Sequence, residues 1–286
     1  MFNLRKLLIS QRSKPTLAVI GVSAAAILSS GLANAGAWVP KQGEGYNKLA
    51  YAYYEADEFR GDNDNFSEFI GENTSFYGEY GLGNNFAVYG QLLYQSLEQT
   101  DANNVKQTNN GFGDAEIGIR YQWQADPFVL STSFLAKLPY LYDEDDDLAL
   151  GNGQEDYELR VLLGKSLNQY GYLGAEFGYR YRSGAPSDEY RYLLEYGFSV
   201  NKNLYLRTKL DGVLSAENAD SNASDTNANL LVVPEFDSGK WELTAGWTFD
   251  SSSKNKWGLE LTYTQDIYGK NTLEGDSIQL GLTRVF

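Results

Sequence analysis

Between Asp114 and Trp123 the chain alternates without a break: Ala115, Ile117, Ile119, Tyr121 and Trp123 share one side, and Asp114, Glu116, Gly118, Arg120 and Gln122 share the other. A period of two is the signature of a β-strand with one apolar and one wet face. The same rhythm returns at Tyr46–Glu55, Thr74–Leu82, Phe86–Leu97, Phe128–Leu138, Asp156–Leu167, Tyr172–Arg182, Glu189–Val200, Leu204–Val213 and Trp257–Ile267, and it closes the chain at Ser277–Phe286. In that last stretch Ile278, Leu280, Leu282 and Phe286 share a register. A terminal strand that ends on an aromatic residue needs a partner already made, most simply the first strand of a closed barrel.

Connections alternate in length. Gly81–Asn85, Gln124–Pro127, Leu167–Gly171 and Asn201–Asn203 are short, whereas the polar stretches at Thr100–Gly113, Tyr140–Glu155 and Leu214–Ala228 are long. Short turns on the inner side of a membrane and long loops outside are the habit of bacterial barrels. Asn229–Asp250 reads either as one strand or as two joined at Asp237–Lys240. With both termini on the inner side the strand count is even, so one strand is expected and the total is 12, with 14 the fallback if a strand is missed. The expected fold is therefore an all-β, antiparallel, up-and-down transmembrane barrel. In this layout Tyr80, Phe86, Trp123, Phe128, Trp247, Trp257 and Phe286 fall at the inner end of the apolar face, and Tyr51, Tyr53, Tyr179, Tyr181, Tyr190 and Tyr192 at the outer end. Two aromatic belts suit rings that prefer the two membrane interfaces.

The first 35 residues lack this rhythm. Arg5, Lys6, Arg12 and Lys14 precede a short apolar run, Leu17–Leu28, and Ala33-Asn34-Ala35 has the small-residue pattern of a leader-peptidase site. Residues 1–35 are thus expected to be a signal peptide and 36–286 the barrel. Without the leader the chain carries 19 basic against 38 acidic residues, a formal net charge of −19, which argues against nucleic-acid binding. Cysteine and histidine are absent, so disulfides, histidine-based catalytic arrangements and histidine-ligated metals are excluded. Glu158 and Glu176, on adjacent strands, are the one acid–base pair the pattern offers. A non-enzymatic role without cofactor is expected.

The inward register collects a basic cluster, Arg160, Arg180, Arg182, Arg191 and Arg207, and an acidic cluster, Glu79, Asp114, Glu116 and Glu260. A water-filled pore with a transverse field and a barrel plugged by internal ion pairs both fit this mixture. Inward glycines, among them Gly118, Gly164, Gly197, Gly246 and Gly281, either leave a channel open or make room for neighbouring side chains. The acidic run Asp143, Glu144, Asp145, Asp146 and Asp147 reads as a solvated loop or as oxygen ligands for a divalent cation at the outer surface. A calcium loop starting at Asp62 fails for want of a glutamate at its far end. Channel or transporter for small solutes is the leading function class. A non-conducting surface barrel that acts as an adhesin or structural protein through its outer loops, such as Ala216–Asn229, is the alternative.

Several short stretches, in order, resemble a family of proteobacterial outer-membrane barrels grouped with the putative transport proteins of phenol meta-cleavage pathways: Tyr77–Leu82, Gly111–Tyr121, Gly151–Lys165, Gly178–Arg182 and Tyr268–Asn271. Where such barrels often carry Pro-Thr-Gly, this chain has Pro139-Tyr140-Leu141. The resemblance implies uptake of small organic or aromatic compounds. It also implies the outer membrane as location, its lipid and lipopolysaccharide as surroundings, and the barrel-assembly machinery as the reader of the strand ending at Phe286.

Overall fold

The computed structural model describes residues 36–61, 65–220, 230, 233–249 and 254–286. The expected leader, the Asp62 motif and most of Ala216–Asn229 lie outside the described residues. Thirteen strands follow one another in the chain: β1 (Gly45–Arg60), β2 (Phe66–Gly83), β3 (Phe86–Asp101), β4 (Lys106–Phe112), β5 (Ala115–Gln124), β6 (Val129–Leu138), β7 (Asp156–Ser166), β8 (Tyr172–Arg182), β9 (Glu189–Ser199), β10 (Leu204–Ser215), β11 (Asp237–Thr248), β12 (Lys256–Lys270) and β13 (Thr272–Val285). Sequence neighbours pair antiparallel except β4 with β5, which both pair with β3, and β1 pairs with β13 from Tyr46↔Val285 to Arg60↔Thr272. Among the described residues the ladder closes on itself, and β4 alone is paired on a single side.

Thirteen strands make a 12-stave barrel because β4 and β5 are two parts of one stave. Both lie on β3, β4 along its outer half (Thr100↔Lys106 to Tyr94↔Phe112) and β5 along its inner half (Gln91↔Glu116 to Phe86↔Tyr121). The break falls at Gly113-Asp114. Thr100–Gly113 is therefore not the long loop its polar composition suggested. Most of it is ladder, and only residues 102–105 turn. Polar residues form this strand because it stands beyond the lipid, where neither face needs to be apolar. Among the described residues of 229–250 there is a single strand, as parity required, and Gly239/Lys240 is a register shift inside β11 rather than a hairpin turn.

Staves differ in length, which shapes the mouth. At about 3.3 Å per residue, β2 with 18 residues runs roughly 60 Å, and β7, β8 and β9 with 11 each roughly 36 Å. One wall, from β12 through β13 and β1 to β4, stands high above the other.

On the outside, Leu159, Phe177, Leu194, Leu261 and Ile278 are all more than half exposed, an apolar surface that suits lipid and not water. Tyr80, Phe86, Trp123, Phe128, Trp247 and Trp257 are exposed at the inner end, and Tyr51, Tyr53, Tyr179, Tyr181 and Tyr190 at the outer end. Both belts stand where the alternation put them except at Tyr192 and Phe286, which are half-buried, the Tyr192 hydroxyl against that of Tyr268 and the Phe286 ring stacked on Tyr80. At the inner end Asn84 and Asn85 take positive φ (50° and 66°), the pairing that a tight right-twisted hairpin asks for.

Inside the wall, the glycines are occupied. Directly across the ladder, Tyr89 covers Gly118, Tyr172 covers Gly197 and Tyr205 covers Gly246, while Lys48 folds over Gly281 and Trp38 over Gly164. A Cβ at any of these would collide with the covering side chain. The glycines therefore narrow the lumen by letting large residues lie flat on the wall.

Candidate functional site: the barrel lumen

Three layers fill the lumen. The middle layer is charged, and it is where the inward alternation delivers Lys, Arg, Asp and Glu from almost every stave. The basic and acidic clusters read from the sequence meet here as pairs. Arg180 reaches Glu116 at 3.1 Å, Glu158 at 2.9 Å and Asp156 at 3.8 Å; Arg160 reaches Glu158 at 2.5 Å and Glu176 at 2.6 Å; Arg120 reaches Glu79 at 2.6 Å. Lys137 joins Asp114 (3.4 Å) to Asp156 (3.0 Å), and Arg191 and Arg182 tie in Glu189. Traced through its contacts, one network on β5–β9 holds five cations, Lys137, Arg160, Arg180, Arg182 and Arg191. It holds six carboxylates, Asp114, Glu116, Asp156, Glu158, Glu176 and Glu189.

A second group lies on β1 and β9–β12. Lys48 donates to Glu260 at 2.8 Å, Arg207 bridges Glu260 (3.5 Å) and Glu195 (3.9 Å), and the Tyr205 hydroxyl donates to Glu260. Tyr172 donates to Glu195 at 2.5 Å. Glu158 and Glu260 are each 2% exposed. Charges so buried hold only because every oxygen finds a donor, and removing one partner leaves the other stranded.

This geometry changes three readings. The positive and negative clusters are interleaved pairs on the same wall, so the lumen carries no simple transverse field from segregated charges. Glu158 and Glu176 share Arg160 between them, so both carboxylates serve as acceptors of the same guanidinium. Arg182 sits above the others at the outer rim, where its guanidinium donates to the carbonyls of Ser187 and Pro234, both at 3.3 Å.

The outer layer is apolar. Ala56, Phe69, Leu97 and Leu273 point inward from the high wall, and Leu148 and Leu150 come across to meet them from the β6–β7 loop. Tyr54, Phe59, Phe66 and Tyr142 pack around this group. Leu148 is 2% exposed and Ala149 fully buried. The loop is fastened from both sides: Gln95 Nε2 donates to the Leu150 carbonyl at 2.7 Å, and Asn109 Nδ2 to the Leu148 carbonyl at 3.0 Å. Tyr142 donates to Asp114 at 2.7 Å, where burial and then the Asp114 carboxylate hold its proton on well above the ordinary phenol range. The β6–β7 loop is thus a lid folded into the mouth rather than a free outer loop. Its acidic portion, Asp143–Asp147, faces solvent together with Tyr140 and Leu141, and Asp146 accepts from Asn109 at 2.8 Å. Among the described residues no three acidic side chains come together as a metal-binding group.

The inner layer is a strap, residues 36–42. Ala37 is buried with Val129 and Leu162, and Trp38 packs on this group and meets Tyr172 edge-on at 5.8 Å between ring centres. Ser131 Oγ donates to the Ala37 carbonyl at 2.5 Å, the Val39 amide to Gln122 Oε1 at 3.0 Å, and the Gly43 amide to the Gly81 carbonyl at 3.1 Å. The strap enters the lumen from the inner end and lies against β5–β8. Nothing in the sequence reading anticipated strap or lid. Inward-pointing Phe69 and Leu97, which break the polar-inside rule, and the Leu-Ala-Leu that follows the acidic run are the signals that would have pointed to the lid.

Elsewhere, a groove of about 690 Å³ with Leu163, Leu173, Leu194, Leu210 and Trp241 on its walls opens on the outer, apolar face of the barrel and so faces lipid. A cavity of about 270 Å³ at the outer rim, lined by Phe66, Gln99, Val105, Gln107 and Leu230, adjoins the apolar lid.

A closed antiparallel barrel with an apolar belt outside and a charged, lidded interior defines the class: a transmembrane β-barrel of 12 staves. Among solved structures the chain is similar in fold to the COG4313 outer-membrane channel from Pseudomonas putida F1, with a TM-score of 0.70 at 15% identity over 90% of this chain and all of that one. It is also similar to a NanC porin, with a TM-score of 0.51 at 10% identity over 82% of this chain and 98% of that one. A third likeness is to the translocator domain of the autotransporter NalP from Neisseria meningitidis, with a TM-score of 0.50 at 11% identity over 84% and 87% of the two chains. At such identities the likeness is one of fold. No family model and no curated protein matches the chain.

Proposed function

We propose that the protein is an outer-membrane channel that admits small organic solutes with apolar or aromatic parts. The observation that carries this reading is the apolar lid. A solute arriving from outside meets Phe66, Phe69, Leu97, Leu148, Leu150 and Leu273 before it meets any of the buried charges. An entrance of this kind favours molecules that gain by leaving water, at about 25 cal/mol per Å² of apolar surface buried. The adjoining rim cavity of about 270 Å³ offers room on the scale of a single aromatic ring, since an apolar cavity of roughly 150 Å³ suffices for benzene. Below the lid, paired charges with residual exposure such as Arg160 and Arg191 offer exchangeable hydrogen bonds to the polar end of the solute.

Outer-membrane channels and porins are among the solved structures with this fold, which agrees with the reading. The phenol-pathway resemblance points to the same solute class. The test is uptake into liposomes that contain the refolded barrel, comparing a small aromatic acid with a sugar of similar mass. Faster entry of the aromatic compound, and acceleration of both by Leu148→Ser with Leu150→Ser, is the expected result. No entry by either, with or without the lid substitutions, would overturn the proposal and favour a non-conducting surface barrel.

A further inference from the structure

The sequence places a leader-peptidase cut before Gly36, the first of the described residues of the strap, and a carboxylate lies against that residue. An atom built in the Cβ position of Gly36 would lie 2.5 Å from Glu176 Oε1 and 3.2 Å from Leu162 Cδ2, so the Glu176 carboxylate occupies the space beside the Gly36 Cα. Glu176 Oε2 is taken by Arg160 at 2.6 Å, and the Glu176 side chain is only 11% exposed. Glu176 ends the ion-pair network on β5–β9, and that network contains six carboxylates and five cations. Each carboxylate touches a cation, but the network carries one more carboxylate than cation, and only Oε2 of Glu176 is taken by Arg160; a further cation would bring the group to balance. By contrast the Lys48, Arg207, Glu195 and Glu260 group balances.

We infer that the missing cation is the α-ammonium group of Gly36, created when the leader is removed, and that its pairing with Glu176 locks residues 36–42 into the inner mouth of the barrel. The inference rests on reading residues 1–35 as a cleaved leader and is independent of which solute the barrel passes. In the cleavage, water adds across the Ala35–Gly36 amide under the action of a membrane leader peptidase. The carboxylate leaves with Ala35, and the amine stays on Gly36 and takes a proton. Before that step the Gly36 nitrogen is a neutral amide with no charge to offer. Processing would therefore complete the lumen as well as release the protein, and an uncleaved precursor would lack the ionic part of the lock. Glycine suits the site, because a side chain here would have to displace the carboxylate end of Glu176.

The experiment uses barrel exported and purified from membranes, with folding checked by the gel-mobility shift on heating that stable barrels show. Intact mass reports the first residue. An acetylating N-hydroxysuccinimide ester then reports the reactivity of the Gly36 amine, read by mass spectrometry of the N-terminal tryptic peptide, because only the free amine reacts. The expected chain starts at Gly36, and in the folded state its amine is acetylated at least about tenfold more slowly than in the unfolded state, the loss of free amine that one pKa unit represents. Glu176→Gln should bring the folded rate close to the unfolded one, and Glu176→Asp should retain part of the protection. Should Glu176→Gln fail to fold, Trp38→Ala serves in its place, since it unseats the strap and leaves the carboxylate intact. A chain that starts elsewhere would overturn the inference by removing the amine. Equal rates in folded and unfolded wild-type protein would overturn it for the ion pair itself.

Discussion

Tyr205 and Gly246 show how single positions set the bore of this barrel. The ring lies flat across the glycine, its hydroxyl donates to Glu260, and no Cβ fits beneath it. Gly246→Ala should cost about 1–3 kcal/mol through overpacking, and much less in a Tyr205→Ala background where the ring is gone. Urea unfolding of the four variants in detergent measures that coupling. At the outer rim, Asp188 accepts from Tyr179 at 2.6 Å, from the Arg182 amide at 2.8 Å and from Asn218 at 2.9 Å. Burial works to raise its carboxyl, but the hydrogen bonds win and hold it below the ordinary range. A carboxyl depressed in the folded state stabilises the protein above its unfolded pKa of about 3.9, and that stability disappears as pH falls through the lower folded value. Asp188→Asn should therefore weaken the rim at neutral pH and make its opening less dependent on acid below about pH 4, as proteolysis of the 183–188 loop would report.

Among the elements, the lid and the long β1–β4 wall depend on each other. Staves that rise far above β7–β9 expose inward apolar residues with no lipid to cover them, and the β6–β7 loop supplies Leu148 and Leu150 as the cover. Leu148→Ala should cost about 2–5 kcal/mol where the packing cannot collapse, most of it in local lid opening rather than global unfolding. Hydrogen exchange should then quicken at Leu148–Leu150 and leave β7 and β8 unchanged. The hairpin of β3 with β4 holds the lid through Asn109, so Asn109→Ala should loosen the same amides to a smaller degree. Here the sequence misleads in an instructive way. Lys106–Phe112 reads as loop because it is polar on both faces, and that is what a strand standing clear of the membrane is free to be.

For the molecule as a whole, the consequence is a barrel closed at both mouths by different chemistry, an apolar lid outside and a strap on an ion-paired wall inside. In bilayers wild-type conductance is expected to be small and steady. The paired lid substitutions should raise it several-fold, and Trp38→Ala, which removes the ring that packs the strap on Val129 and Leu162, should add intermittent openings. Planar-bilayer recording of the two variants separates the two closures.

Alternation alone determined the architecture. Lipid outside and water inside impose a period of two on every stave, and parity of the strand count then settled Asn229–Asp250 as one strand. The belts, the closing pair of β1 with β13 and the inward placement of Arg160, Arg180, Arg207, Glu79, Glu116 and Glu260 were all legible for that reason. Tertiary structure alone decided which charges pair, because partners such as Arg180 and Glu116 lie 64 residues apart and meet only when the sheet curls. It also decided that the glycines are filled and that Leu148–Leu150 turns inward. The same holds for residues 36–42 inside the wall, since a segment of no regular period leaves no trace of its destination until the surface that receives it exists.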